Sequence, residues 1–153
     1  MIIKKPSDCT KEELDEFIKL VSSGGQVATN GLEERIRNCK ALGFYYVDKE
    51  LAGVSAIKQK HKEIVKRTLK KAKIETDNIP TLELGYSYTK PEFRGQGINK
   101  KINDGLLGLI NQDKIYATTD NDTMRNYLNG KGFRKVGESF GGRFNETLDY
   151  FEK

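Results

Sequence analysis

The sequence predicts a mixed α/β fold, and three observations carry that expectation. Residues 81–119 read as strand, glycine turn, helix and strand, a crossover of the kind that makes two strands parallel. Ahead of it, two runs rich in strand formers lie close enough for an antiparallel hairpin. Near the start of the chain, apolar residues recur at helical spacing behind a capping sequence. With 153 residues, a single domain over 1–153 with a sizeable core is the natural expectation.

The elements follow in order. Thr10, Lys11, Glu12 and Glu13 have the form of a capping box, and Leu14, Phe17, Ile18 and Val21 give the first helix its apolar stripe until Ser22, Ser23, Gly24 and Gly25 stop it. Asn30 to Glu33 offers a second cap for a helix carrying Leu32, Ile36 and Cys39 and ending near Gly43. Phe44–Val47 and Leu51–Ile57 form the hairpin across Asp48, Lys49 and Glu50. Val65, Leu69 and Ala72 mark one face of a short basic helix, which Asn78, Ile79 and Pro80 end. Thr81–Thr89 reads as a strand, Gly97–Ile110 as a helix with Ile98, Ile102, Leu106 and Leu109 on its apolar face, and Ile115–Thr119 as a strand. Asp120, Asn121 and Asp122 can cap a helix bearing Met124, Tyr127 and Leu128 that closes at Gly130 or Gly132. Phe133–Val136 and Thr147–Phe151 are the last strands, joined by a loop over 137–145.

Composition narrows the class. Seven Phe and seven Tyr supply large apolar bodies, so disorder is not indicated despite a mean hydropathy of −0.67. No apolar run approaches a membrane span, and the first residues lack the pattern of a signal peptide, so the cytoplasm is the expected compartment. Cys9 and Cys39 lack metal or redox spacing and read as free thiols in helices; no metal ligands are nominated. The net charge of +5 is concentrated: Lys58 to Lys73 holds eight Lys or Arg against Glu63 alone. A solvated helix face and a surface that attracts an anionic partner both account for this segment, part of an apparent insertion at about 58–80.

The turn from Pro91 to Asn99 carries the chemistry. A glycine-rich turn between strand and helix presents consecutive backbone N–H groups at the positive end of the helix dipole, which suits a pyrophosphate. Gly95, Gln96, Gly97, Ile98, Asn99 and Lys100 do not match a nucleoside-triphosphate loop, which needs Gly-Lys-Ser/Thr, and the third glycine of a dinucleotide fingerprint is missing at Lys100. ATP and NAD are therefore disfavoured.

The remaining pattern, Arg94-x-x-Gly97-x-Asn99 after Pro91, Glu92 and Phe93, resembles the acyl-CoA motif of the GNAT superfamily of N-acetyltransferases, Gln/Arg-x-x-Gly-x-Gly/Ala. Asn121, the helix after it and Gly132-Phe133 resemble a second family feature, and the element order agrees over nearly the whole chain. The resemblance implies a mixed, mostly antiparallel sheet, with a central parallel strand pair splayed around the acyl-CoA site and helices flanking it. It implies acetyl-CoA as co-substrate, with Tyr88 and Thr89 along its pantetheine arm and Arg94, Gly95, Gln96, Gly97, Ile98, Asn99, Lys100 and Asn121 as further binding residues. Asn99 departs from the family pattern, and so does Leu128, where many members place a tyrosine acid.

The implied reaction is direct attack of a primary amine on the thioester. A lysine-like amine has a pKa of about 10.4, so on the order of one molecule in 10³ is neutral at pH 7 and a base is needed. Glu83 resembles the family's strand glutamate and is the candidate base; Tyr127, beside Leu128, is the candidate acid for the leaving thiolate, with Tyr86 and Tyr88 as competitors. Structural roles compete for each: a solvated strand position for Glu83 and a core position for Tyr127. Two other functions stay open, a non-catalytic acyl-CoA binder and an acetyltransferase for an RNA-linked amine drawn in by the basic segment. Expected partners are acyl-CoA, an amine acceptor of open type and an anion at Lys58–Lys73, with a homodimer left open and no membrane.

Overall fold

Thr10 opens the first long helix by closing a capping box: its Oγ1 accepts from the Glu13 N–H at 3.1 Å, and Glu13 Oε2 accepts from the Thr10 N–H at 2.8 Å. The computed structural model describes residues 1–111 and 113–153. Its elements are β1 (Ile2–Lys4), α1 (Lys11–Ser23), α2 (Leu32–Arg37), β2 (Ala41–Val47), β3 (Glu50–Gln59), α3 (Lys62–Lys71), β4 (Leu82–Thr89), α4 (Ile98–Leu107), β5 (Ile115–Thr119), α5 (Asp122–Gly130), β6 (Arg134–Lys135), β7 (Phe140–Gly141) and β8 (Thr147–Glu152). The sheet has eight strands in the order β1-β2-β3-β4-β5-β8-β6, with β7 paired to β8. The expected parallel crossover is present, Leu82 pairing with Ile115 and Glu83 with Tyr116; the register-defined pairs β1–β2, β2–β3, β5–β8, β6–β8 and β7–β8 are antiparallel.

The chain divides into two compact units, residues 1–59 with 84–111 and residues 60–83 with 112–153. In the first, α1 buries Leu14, Phe17, Leu20 and Val21, and the Phe17 ring meets Phe44 of β2 edge-on at 5.4 Å between centroids. Two glycines let α4 lie close on β2 and β3: a Cβ at Gly43 would run into Ile102, and one at Gly53 would stand 2.8 Å from Ile98. Ile98, Ile102 and Leu106 form the buried stripe of α4, so its first turn is held firmly on the sheet.

In the second unit, Val65, Leu69 and Ala72 of the basic segment are buried with Tyr116 and Tyr150, whose rings stack at 5.4 Å. Gly137 has no room for a side chain: its φ is +73°, a Cβ there would strike the Ala72 carbonyl oxygen, and the neighbouring Glu138 N–H donates to that oxygen at 2.8 Å. Gly137→Ala combines a left-handed penalty with a backbone clash, so a loss of about 2–4 kcal/mol in urea unfolding is expected.

Several boundaries differ from the sequence reading. α2 stops at Arg37 and β2 starts at Ala41, because Gly43 serves close helix packing rather than helix termination. Gly31, at φ +72°, takes the cap position of α2 in place of Asn30, with no side-chain cap. α4 ends at Leu107, leaving Leu109 53% exposed beyond it. β1 and β7 were not legible; each is three residues or fewer. Cys9 and Cys39 are free thiols lying just outside the helices rather than in them. Among the described residues, no helix is long and apolar enough to cross a membrane.

Candidate functional site

The glycine turn lies wholly within the first unit. β4 ends at Thr89, Pro91–Phe93 form one turn of 3-10 helix, and Arg94 is extended. Gly95 and Gly97 both adopt left-handed backbone, at φ +83° and +71°, and a Cβ on either would meet no heavy atom within 4 Å. The glycines are thus required by conformation, and the space before them is open. The N–H groups of Gly95, Gln96, Gly97, Ile98, Asn99 and Lys100 meet no acceptor among the described residues; the first bond of α4 runs from the Lys101 N–H to the Gly97 carbonyl at 3.0 Å. A ten-residue helix adds its positive dipole end to that cluster of donors.

The side chains around the turn are placed unevenly. Arg94 Nε donates to the Thr89 carbonyl at 3.1 Å, and its guanidinium lies 5.7 Å from the centroid of the Tyr88 ring. Tyr88, Thr89 and Arg94 therefore form one group. Gln96 and Lys100 are exposed, while Ile98 is buried. Asn99 folds back along the helix, its Oδ1 accepting from Asn103 Nδ2 at 2.8 Å. Its carbonyl oxygen is thereby turned to a protein donor. The Thr89 hydroxyl is buried with no hydrogen-bond partner among the described residues.

One feature of β4 escaped sequence reasoning. Tyr86 has φ +54°, a conformation uncommon for an aromatic residue and one that interrupts the alternation of the strand. Ser55 braces both sides of it, its Oγ donating to the Gly85 carbonyl at 3.3 Å and lying 2.7 Å from Ser87 Oγ. Lys58 Nζ stands 4.4 Å over the Tyr86 ring. No local pattern marks such a residue, since Tyr is among the good strand formers.

Glu83 belongs to the second unit and is buried, so it is not a solvated strand position. Tyr116 Oη donates to Glu83 Oε2 at 3.2 Å, and Lys60 Nζ lies 3.7 Å from the same oxygen. Burial, then the Glu83 charge, push the Tyr116 hydroxyl far above the ordinary tyrosine range, so it stays a proton donor to the carboxylate. Tyr116→Phe leaves a buried carboxylate one donor short and should cost about 1–3 kcal/mol in urea unfolding. Sequence reasoning missed both partners; Tyr116 lies 33 positions from Glu83 and meets it through the parallel pairing.

Tyr127 is half-buried on α5, with Lys131 Nζ 5.8 Å from its ring centroid. Leu128 is fully buried and is the residue on which α5 closes: the Phe133 N–H donates to the Leu128 carbonyl at 3.0 Å and the Gly132 N–H to Asn129 at 3.2 Å. With Gly132 at φ +84°, this is a Schellman stop, which explains the Gly132-Phe133 pair structurally. Asn121 is the N-cap of α5, its Oδ1 accepting from the Met124 N–H at 3.0 Å.

No protein-family model and no curated protein sequence matches the chain. Solved structures do. An acetyltransferase of the GNAT family from Streptococcus agalactiae aligns with 99% of this chain and 94% of its own, at TM-score 0.70 and 20% identity. Ribosomal-protein-alanine N-acetyltransferase from Brucella melitensis covers 100% and 99% at TM-score 0.69 and 15% identity, and Escherichia coli ElaA 99% and 97% at 0.69 and 13%. From the eight-stranded sheet with its single defined parallel pairing, the glycine turn before α4 and these full-length alignments, the chain has the fold of the GNAT acetyltransferases.

Proposed function

We propose that the chain is an acyl-CoA-dependent N-acyltransferase that moves an acetyl group from acetyl-CoA to a primary amine by direct attack of the amine. The observation that carries this reading is the run of N–H groups from Gly95 to Lys100 with no acceptor among the described residues, at a helix N-terminus with open space before both glycines. A pyrophosphate fits that donor set. Arg94 adds charge beside it, and the Tyr88 and Thr89 backbone suits the amide-bearing arm as an added strand would. Lys100 is exposed at the same turn. Asn121, with its Oδ1 taken by the cap, keeps its amide NH2 for the donor. The cytoplasm, where acetyl-CoA is available, is the compartment of this reading.

The bound thioester supplies an activated acetyl group. On the protein side, Glu83 takes the proton from the attacking amine, Tyr127 returns one to the departing sulfur, and a strand N–H polarises the carbonyl. A thiol pKa near 8.5 makes the acid helpful rather than obligatory, consistent with Leu128 in the position where many family members carry tyrosine. Tyr127→Phe is therefore expected to cost less than any change at Glu83.

A thermal-shift series with acetyl-CoA, longer acyl-CoAs, ATP and NAD tests the donor. A ligand at 100 times its Kd adds about 2.7 kcal/mol of stability, and only the acyl-CoAs should do so. Stabilisation by ATP or NAD alone overturns the reading. Release of free CoA thiol in the presence of an amine panel separates an enzyme from a protein that only binds the donor.

A further inference from the structure

We propose that the outer face of α3 binds the phosphate backbone of RNA. Val65, Leu69 and Ala72 anchor this helix by burial, which turns Lys62, Lys66, Arg67, Lys70 and Lys71 outward. Lys66 pairs with Glu63 at 3.0 Å, whereas Lys62, Arg67, Lys70 and Lys71 have no acidic partner among the described residues. Lys73, just past the helix, is paired with Glu138.

A face that needed only solvation would mix both signs and gain from pairs four residues apart. Here Lys62, Lys66 and Lys70 repeat at that spacing, as do Arg67 and Lys71, so like charges stand side by side along the helix. The negative end of the helix dipole accounts for Lys70 and Lys71. It does not account for Lys62, which sits at the positive end.

The chemistry of the face favours a polyphosphate over an acidic protein. Four of its five outward cations are lysines, which meet phosphate oxygens as point charges without a fixed geometry, as contacts along a flexible backbone require. Ile64, 41% exposed, is the only exposed large apolar side chain on α3 among the described residues, so an apolar anchor for a protein partner is nearly lacking. The face has no aromatic side chain to stack a base, which predicts backbone binding without sequence preference.

Fluorescence anisotropy with a labelled single-stranded RNA tests this on the intact chain and needs no acyl transfer. With about four phosphates neutralised, affinity should fall about 50-fold between 50 and 200 mM KCl. The triple change Arg67→Gln, Lys70→Gln and Lys71→Gln should weaken binding at least about tenfold at 50 mM and flatten the salt slope by about 2. The same charge removed from exposed positions at and before α1, by Lys5→Gln, Lys11→Gln and Lys19→Gln, should leave both unchanged. No binding at 50 mM KCl, equal binding by the α3 triple variant, or displacement of the RNA by polyglutamate at equal charge concentration would each overturn the proposal.

Discussion

Gly97→Val is expected to weaken acetyl-CoA binding about 100-fold in calorimetry. Two or more charge-assisted bonds from the turn to a pyrophosphate are at stake, each contributing about 1.5–3 kcal/mol, and tenfold in affinity corresponds to about 1.4 kcal/mol. The protein itself has room for the new side chain, since no heavy atom stands within 4 Å of a Cβ at this position. What the chain loses is the left-handed backbone at φ +71°, a strain of about 1–2 kcal/mol for a residue with a Cβ. Urea unfolding should therefore record a modest destabilisation beside a much larger loss of ligand. Gly97→Ala, with a smaller group and the same strain, should fall between wild type and valine in affinity while matching valine more closely in stability. If both variants bind as wild type does, the N–H cluster is not the donor site.

The sequence exposed those parts of the molecule whose signals are local. The Thr10–Glu13 box, the Val65, Leu69 and Ala72 stripe and the strand over 115–119 all rest on neighbouring residues, and the structure contains each of them. So does the glycine turn, because φ above zero and an uncapped helix start are both written in Gly95 and Gly97. Glycine was misleading where its reason was distant. Gly43 reads as a helix stop, yet it is a strand residue whose missing side chain makes room for Ile102 nearly sixty positions away. Gly132 and Phe133 read as a family signature, and their immediate physical role is to end α5 on the Leu128 carbonyl.

The candidate catalytic residues show the same limit. A lone strand glutamate gives no sign of its surroundings, and Glu83 is buried with a tyrosine from β5 and a lysine from the connection between β3 and α3. A buried carboxylate without partners is costly, and the Tyr116 hydroxyl at 3.2 Å and Lys60 at 3.7 Å are two groups that offset that cost. Asn99 is another case: its departure from the family pattern was visible, but only the structure pairs it with Asn103.

Glu83→Gln is expected to lower kcat about 100-fold near neutral pH, the usual scale for losing a positioned base. Glutamine keeps the volume and an oxygen acceptor for the Tyr116 hydroxyl, so the change removes chiefly the negative charge facing Lys60. The deficit should shrink as pH rises. Without the base, only amine that is already neutral can attack, and its fraction grows tenfold per pH unit up to the amine pKa of about 10.4. The wild-type protein, with a carboxylate to take the proton, should depend on pH less steeply over the same range. Parallel rate profiles for the two proteins would remove Glu83 from proton transfer and leave it as a structural charge; lost activity with unchanged acetyl-CoA affinity and a converging profile would assign it the proton.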